Sequence, residues 1–162
     1  MNKFVISSIA GALATLPMTL VMTYLHKRLP SHKKSDLAPR EITEELSSKA
    51  GLDKYMSEKD VVGATIGSHF GYGAASGIIA APLLDTVKRP KVIAGMGFGL
   101  LIWAGSYLGW LPVSGLYKSA TQEPRERNTL YIASHLVWGA FLGLIYDAFE
   151  RPKTLSGLSP QQ

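Results

Sequence analysis

Two histidines of this chain lie in long stretches that hold no Asp, Glu, Lys or Arg: His69 within residues 61–84 and His135 within residues 129–146. Imidazole exchanges a proton near neutral pH and is the commonest metal ligand. An ionisable group in such a stretch is costly, so it is first read as functional. Ser68 precedes one histidine and Ser134 the other, and glycines follow each at i+4 and i+8: Gly73 and Gly77, Gly139 and Gly143. Residues four apart share one helix face, and glycine on that face lets a second backbone approach closely. Three chemistries are open to the pair. Each imidazole could bond a backbone carbonyl or a glutamate and lock helices together. The two could titrate in a water-filled path. They could also hold a metal ion or a haem b between helices, with the glycines leaving room for a flat ring. Two imidazoles fall short of the three or four ligands of a zinc site, so Glu41 and Glu126 would have to reach in.

The two histidine stretches are close copies of one another. Ile66-Gly67-Ser68-His69 and Gly73-Ala74 in one match Ile132-Ala133-Ser134-His135 and Gly139-Ala140 in the other. Each is followed by Asp, three residues, then Arg-Pro-Lys, and each is preceded by Pro-Arg-Glu, at Pro39-Arg40-Glu41 and Pro124-Arg125-Glu126. An Ile-Ala-Gly triplet opens each unit (9–11 and 93–95). Such self-similarity indicates duplication. The units run from about 4 to 91 and from about 92 to 153, within a single domain of residues 1–153, followed by a flexible tail, 154–162.

The elements that must carry these residues follow from the charge pattern. The chain of 162 residues is 46% hydrophobic and only 18% charged, and residues 4–25, 61–84, 92–117 and 129–146 contain no charged side chain. About 20 apolar residues in a helix cross a bilayer core of roughly 30 Å. The fold class is therefore expected to be all-α: an integral membrane four-helix bundle of two tandem helical hairpins, in parallel internal repeat. The first stretch is too long for a signal-peptide core and reads as a retained helix. It contains Pro17, with Thr15 and Thr19 placed to satisfy freed backbone. Pro39 and the glutamates after it, up to Gly51, predict a short amphipathic surface helix in the first loop. Ser57 and Asp60 mark the start of the second spanning helix. A third helix is predicted from Lys91 to Trp110, ending before Pro112, with Trp103, Tyr107, Trp110 and Tyr117 suited to an interfacial belt. The glycine stripes of the second and fourth helices are expected to meet across a pseudo-two-fold axis, bringing His69 and His135 to similar depth.

The remaining charges suit the ends of such helices. Arg40 and Arg125 could pair with neighbouring glutamates (Glu41, Glu126) or grip an anionic lipid. Asp85 with Arg89, and Asp147 with Arg151, have the i, i+4 spacing of helix-end ion pairs. More Lys and Arg flank the Pro-Arg-Glu loops than the opposite side, which favours those loops in the cytoplasm. The net charge of +5 is explained by residues at head-group level, and no nucleic-acid partner is expected. With no cysteine in the chain, disulfides and thiolate sites are excluded. No Ser-His-Asp or paired-carboxylate pattern stands out, and no enzymatic activity is expected.

Residues 39–43, the Ser68-to-Gly73 segment, residues 107–112 and the Ser134-to-Gly139 segment resemble the YagU-like family of small bacterial inner-membrane proteins. The resemblance implies a multi-pass protein of the bacterial inner membrane with a link to acid stress, and carries over no site residue. The function expected is that of a small channel, carrier or stress-response component centred on the histidine pair. The alternatives are a haem- or metal-binding subunit, or a structural or assembly subunit of a larger membrane complex or homo-oligomer.

Overall fold

A computed structural model describes residues 2–88 and 90–150. Every regular element among them is helical. The helices are α1 (Lys3–Arg28), α2 (Ala38–Lys49), α3 (Glu58–Thr86), α4 (Val92–Ala104), α5 (Leu111–Ser114) and α6 (Arg125–Glu150), with a π-helical segment, Gly105–Trp110, joining α4 to α5. Three continuous helices are long and apolar enough to cross a membrane: Lys3–Arg28, Val92–Ser114 and Arg125–Glu150. α3 has 29 residues, but its glycines, serines, His69 and Tyr72 dilute its apolar character.

Local signals account for the ends of these elements. Asn2 caps α1, its side chain accepting from the Phe4 amide. Ser57 and Asp60 form a complete capping box at α3. Pro39 occupies the first turn of α2, where a missing N–H costs nothing. Gly51 follows α2 at φ 68°, a left-handed conformation that glycine adopts without strain.

α1 packs on α3, α4 packs on α6, and α1 packs on α6, while α3 barely meets α4 or α6. The lateral order is thus α3, α1, α6, α4, with only slight contact between α3 and α4. This corrects the expected meeting of two glycine stripes across a central axis. Gly73 and Gly77 lie against Gly11 and Ser7 of α1, and Gly139 and Gly143 lie against Gly95 of α4 and Lys91 just before it. Each stripe closes its own hairpin, because the small residue opposite it, Gly11 or Gly95, belongs to the same unit. Between the units, α6 meets α1 through a large side chain: Trp138 Nε1 donates to the Gly11 carbonyl at 3.0 Å. The core along this seam comprises Ala10, Ala14, Phe98, Trp138, Leu142 and Tyr146.

Other expectations are revised. Thr15 and Thr19 donate to the carbonyls of Gly11 and Thr15, not to the carbonyl of Leu13 that Pro17 leaves unbonded. The third helix does not stop before Pro112, which sits in the first turn of α5. The helix instead changes its winding at the π-helical segment, where Gly109 departs from helical geometry (φ −114°, ψ −105°). Tyr107 and Tyr117 are buried, so they form no interfacial belt, because both rings pack against Tyr131 or one another. α3 ends at Thr86, and Asp85 pairs with Lys3 at 2.7 Å. Arg89, Arg151, Lys153 and the tail lie outside the described residues, and with them the expected pairs Asp85–Arg89 and Asp147–Arg151.

Candidate functional site

α3 buries residues only in its second half, from Gly73 to Leu84. Its first half stands away from α6, and α2 and the π-helical segment border the gap. The result is a cavity of about 400 Å³. α1 contributes Thr15, Met18 and Met22, and α2 contributes Pro39, Ile42 and Leu46. From α3 come Ser68, His69 and Tyr72, from the π-helical segment Ser106, Tyr107 and Trp110, and from α6 His135 and Trp138. No Lys, Arg, Asp or Glu lines it. Both histidines therefore face one space, although their helices hardly touch.

Their settings differ. Nδ1 of His135 lies 2.8 Å from the Tyr131 carbonyl oxygen, one turn back on α6. A carbonyl only accepts, so Nδ1 carries the proton, and in the neutral ring Nε2 is an acceptor. Tyr107 stands edge-on to this imidazole, with ring centres 5.8 Å apart, and itself stacks on Tyr131 at 5.1 Å. His69 Nε2 is buried without a hydrogen-bond partner among the described residues. A buried polar atom in this state costs free energy on the order of a lost hydrogen bond.

The serines beside the histidines do not join them as a pair. Ser134 donates to the Leu130 carbonyl at 2.8 Å and does not line the cavity. Ser68 reaches the Thr65 carbonyl and Thr43 at the rim. A smaller space of about 270 Å³ lies between α1, α2 and α3, lined by Thr19, His26, Asp36, Arg40, Thr65 and, again, His69. His69 thus borders an apolar chamber on one side and a charged one on the other. On the lateral side, Tyr72 and Ser106 share a hydrogen bond of 2.8 Å, and Trp110 Nε1 donates to the Tyr72 hydroxyl at 3.4 Å.

The Pro-Arg-Glu residues are not brought to a common anion site. Arg40 makes a two-pronged contact with Glu58 (2.6 and 2.8 Å) and a third with Glu44 (2.8 Å). These carboxylates raise its proton affinity well above the usual arginine range and already occupy its donors. Arg125 is exposed at the start of α6, and Glu126 pairs with Lys33 at 2.7 Å. Glu41 bonds Arg127. Neither glutamate faces the histidines, and no group of three His, Cys, Asp or Glu side chains suited to a metal ion occurs among the described residues. His69 and His135, which front one space, are the residues that would hold a haem iron were one bound.

Sequence reasoning missed Arg127. Its side chain is buried, and it donates to Glu123 (3.1 Å), to the carbonyls of Ser35 and Asp36 (2.9 Å each), and to the hydroxyls of Tyr117 (3.1 Å) and Tyr131 (2.9 Å). Tyr117 in turn donates to Glu123, and burial holds its hydroxyl protonated far above the ordinary tyrosine range. The Ala38 amide donates to the Tyr131 hydroxyl at 3.1 Å. This knot ties both loops to α6 directly above His135. The signal was a spacing of four: Glu123, Arg127, Tyr131, His135, Gly139 and Gly143 form one stripe. Set beside known proteins, the chain matches no family model, no curated protein and no solved structure.

Proposed function

We propose that this is a multi-pass protein of the bacterial inner membrane, with α3 as a fourth span, allied to the YagU-like family. In this reading it is no enzyme. It is a carrier or binding protein that holds a small, mostly apolar molecule between His69 and His135. The observation that carries the reading is the uncharged cavity shared by two imidazoles, one of which has a buried nitrogen with no partner among the described residues. Cavities of this size and apolar lining, with a few convergent polar groups, suit small-molecule binding. A proton- or ion-conducting channel is supported less well, since no Lys, Arg, Asp or Glu lines the larger space beside the two histidines. A role under acid stress and a contact with anionic lipid through the exposed Arg125 belong to the same proposal.

Purified protein in lipid nanodiscs is expected to retain small apolar molecules, read by extraction and mass spectrometry. The His69→Gln, His135→Gln double variant should lose them with its helical circular dichroism unchanged. Equal retention by the folded variant, or a wild-type protein that retains nothing, overturns the proposal. A haem b ligated by the two imidazoles is the second reading, favoured by the same shared cavity. A Soret band in the purified protein would replace the carrier reading with that one.

A further inference from the structure

The chemistry of the cavity restricts its ligand more narrowly, on the reading that the cavity is a binding site. The lining holds no charged side chain, so an ionic group would be buried without a counter-charge, at a cost of several kcal/mol. The ligand is therefore neutral. Four aromatic rings (Tyr72, Tyr107, Trp110 and Trp138) and two thioethers (Met18 and Met22) face the space, surfaces that favour stacked and edge-on rings. The volume of about 400 Å³ exceeds the cavity of about 150 Å³ that accepts a benzene, which leaves room for fused rings or a ring with a short chain.

The polar contact has a direction. The Nδ1 proton of His135 is committed to the Tyr131 carbonyl, so its Nε2 remains as an acceptor that a donor can meet. No side chain or backbone group among the described residues donates to Nε2 of His135. Nε2 of His69, on the other side of the cavity, is likewise unpaired. One lateral side is closed by Tyr72 and Trp110, which are 40% and 45% exposed and are held by the two hydrogen bonds already described and by their own ring contact. A molecule dissolved in the membrane would meet the cavity there.

We propose that the cavity takes a neutral, ring-shaped molecule bearing a hydroxyl, a phenol-like compound drawn from the bilayer, whose O–H donates to Nε2 of His135. The test uses the intact protein in nanodiscs and two probes of nearly equal shape, 2-naphthol and 2-methoxynaphthalene, with protein-free discs as the reference for partitioning. 2-Naphthol is expected to bind at least about tenfold more tightly, since the ether leaves the acceptor unpaired. In ¹⁵N-histidine spectra the Nε2 resonance of His135 should shift with 2-naphthol and not with the ether. Equal affinity of the two probes overturns the hydroxyl inference while leaving the cavity as a binding site. Binding of neither probe above the protein-free discs overturns the binding-site reading and this inference with it.

Discussion

The two units use the same glycine contact and then diverge one turn above it. In the second unit the stripe on α6 continues from Gly139 through His135 and Tyr131 to Arg127, all buried. The corresponding positions in the first unit are Gly73, His69, Thr65 and Val61, and of these only Gly73 is buried. Tyr131 and Arg127 weld α6 to both loops. Thr65 donates only to its own helix, and α3 is free to lean outward. The cavity exists because the copies differ: one imidazole is anchored by a packed turn, and the other stands on a helix that has lost that anchor. The two hairpins are alike in sequence at their glycines, and their difference above the glycines leaves a space between them.

The contrast can be broken most severely at Arg127. Arg127→Met leaves the buried Glu123 with only the Tyr117 hydroxyl and Lys118, at 3.5 Å, as partners, and removing one member of a buried ion pair typically costs about 3–5 kcal/mol. A large fall in thermal stability is expected in nanodiscs. A fall no greater than that of Arg125→Met, at an exposed position, would show that the knot is not what holds α6.

A smaller contrast separates the glycines. A Cβ on Gly139 would lie 2.7 Å from the Gly95 carbonyl carbon and 2.9 Å from Met96 Cα, and backbone cannot step aside. Gly139→Ala should cost about 1–3 kcal/mol. On Gly73 the nearest obstacle is the Thr15 hydroxyl, with the Gly11 carbonyl oxygen at 3.0 Å. Thr15 can rotate, and alanine in a helix recovers up to about 1 kcal/mol, so Gly73→Ala should be nearly neutral. Equal losses measured by thermal unfolding would mean that the two hairpins are equally rigid.

The histidines should also separate. His135→Gln removes a hydrogen bond and an aromatic contact, worth about 1–2 kcal/mol. His69→Gln removes no hydrogen bond among the described residues and only an edge-on contact with its chain neighbour Phe70, and should leave stability within about 0.5 kcal/mol, while weakening ligand binding. Matching destabilisation would place the two rings in equivalent settings.

The smallest effect is expected at Arg40 and Glu58, the first unit's exposed counterpart to the Arg127 knot. Hydrogen bonding to Arg40 holds the Glu58 carboxyl below its ordinary range. Its contribution is therefore present above the unfolded carboxylate range and is lost as pH falls through the lowered folded value. Solvent screens the pair, so the acid-side loss of melting temperature should be slight. Glu58→Gln should remove that slope, and an unchanged slope would assign it to another carboxylate.

Much of the frame was legible because its causes are local. Pro39, Ser57 with Asp60, and Gly51 mark helix ends through their own backbone chemistry, and charge-free runs mark the apolar helices. The histidine pair stood out because ionisable groups are rare in such runs. The partners of the glycines were not legible. A stripe of small residues states that some backbone comes close, without naming which, and Gly11 and Gly95 had as much claim as the opposite stripe. Arg127 escaped notice because, at the edge of a polar loop, it resembles any helix-end cation until Glu123, Tyr117 and two loop carbonyls from residues 35 and 36 converge on it. The π-helical turn at Gly105–Trp110 leaves no period in the sequence to betray it.

From the chain alone come the helical class, the duplicated unit, the apolar runs and the two imidazoles at matching positions, since each depends on residue type and short-range spacing. The lateral order of the helices, the outward lean of α3, the cavity it opens and the tautomer of His135 were settled only by tertiary packing. Those features depend on which distant surfaces fit together, and that choice is made by a shared fit of many side chains that no single segment encodes.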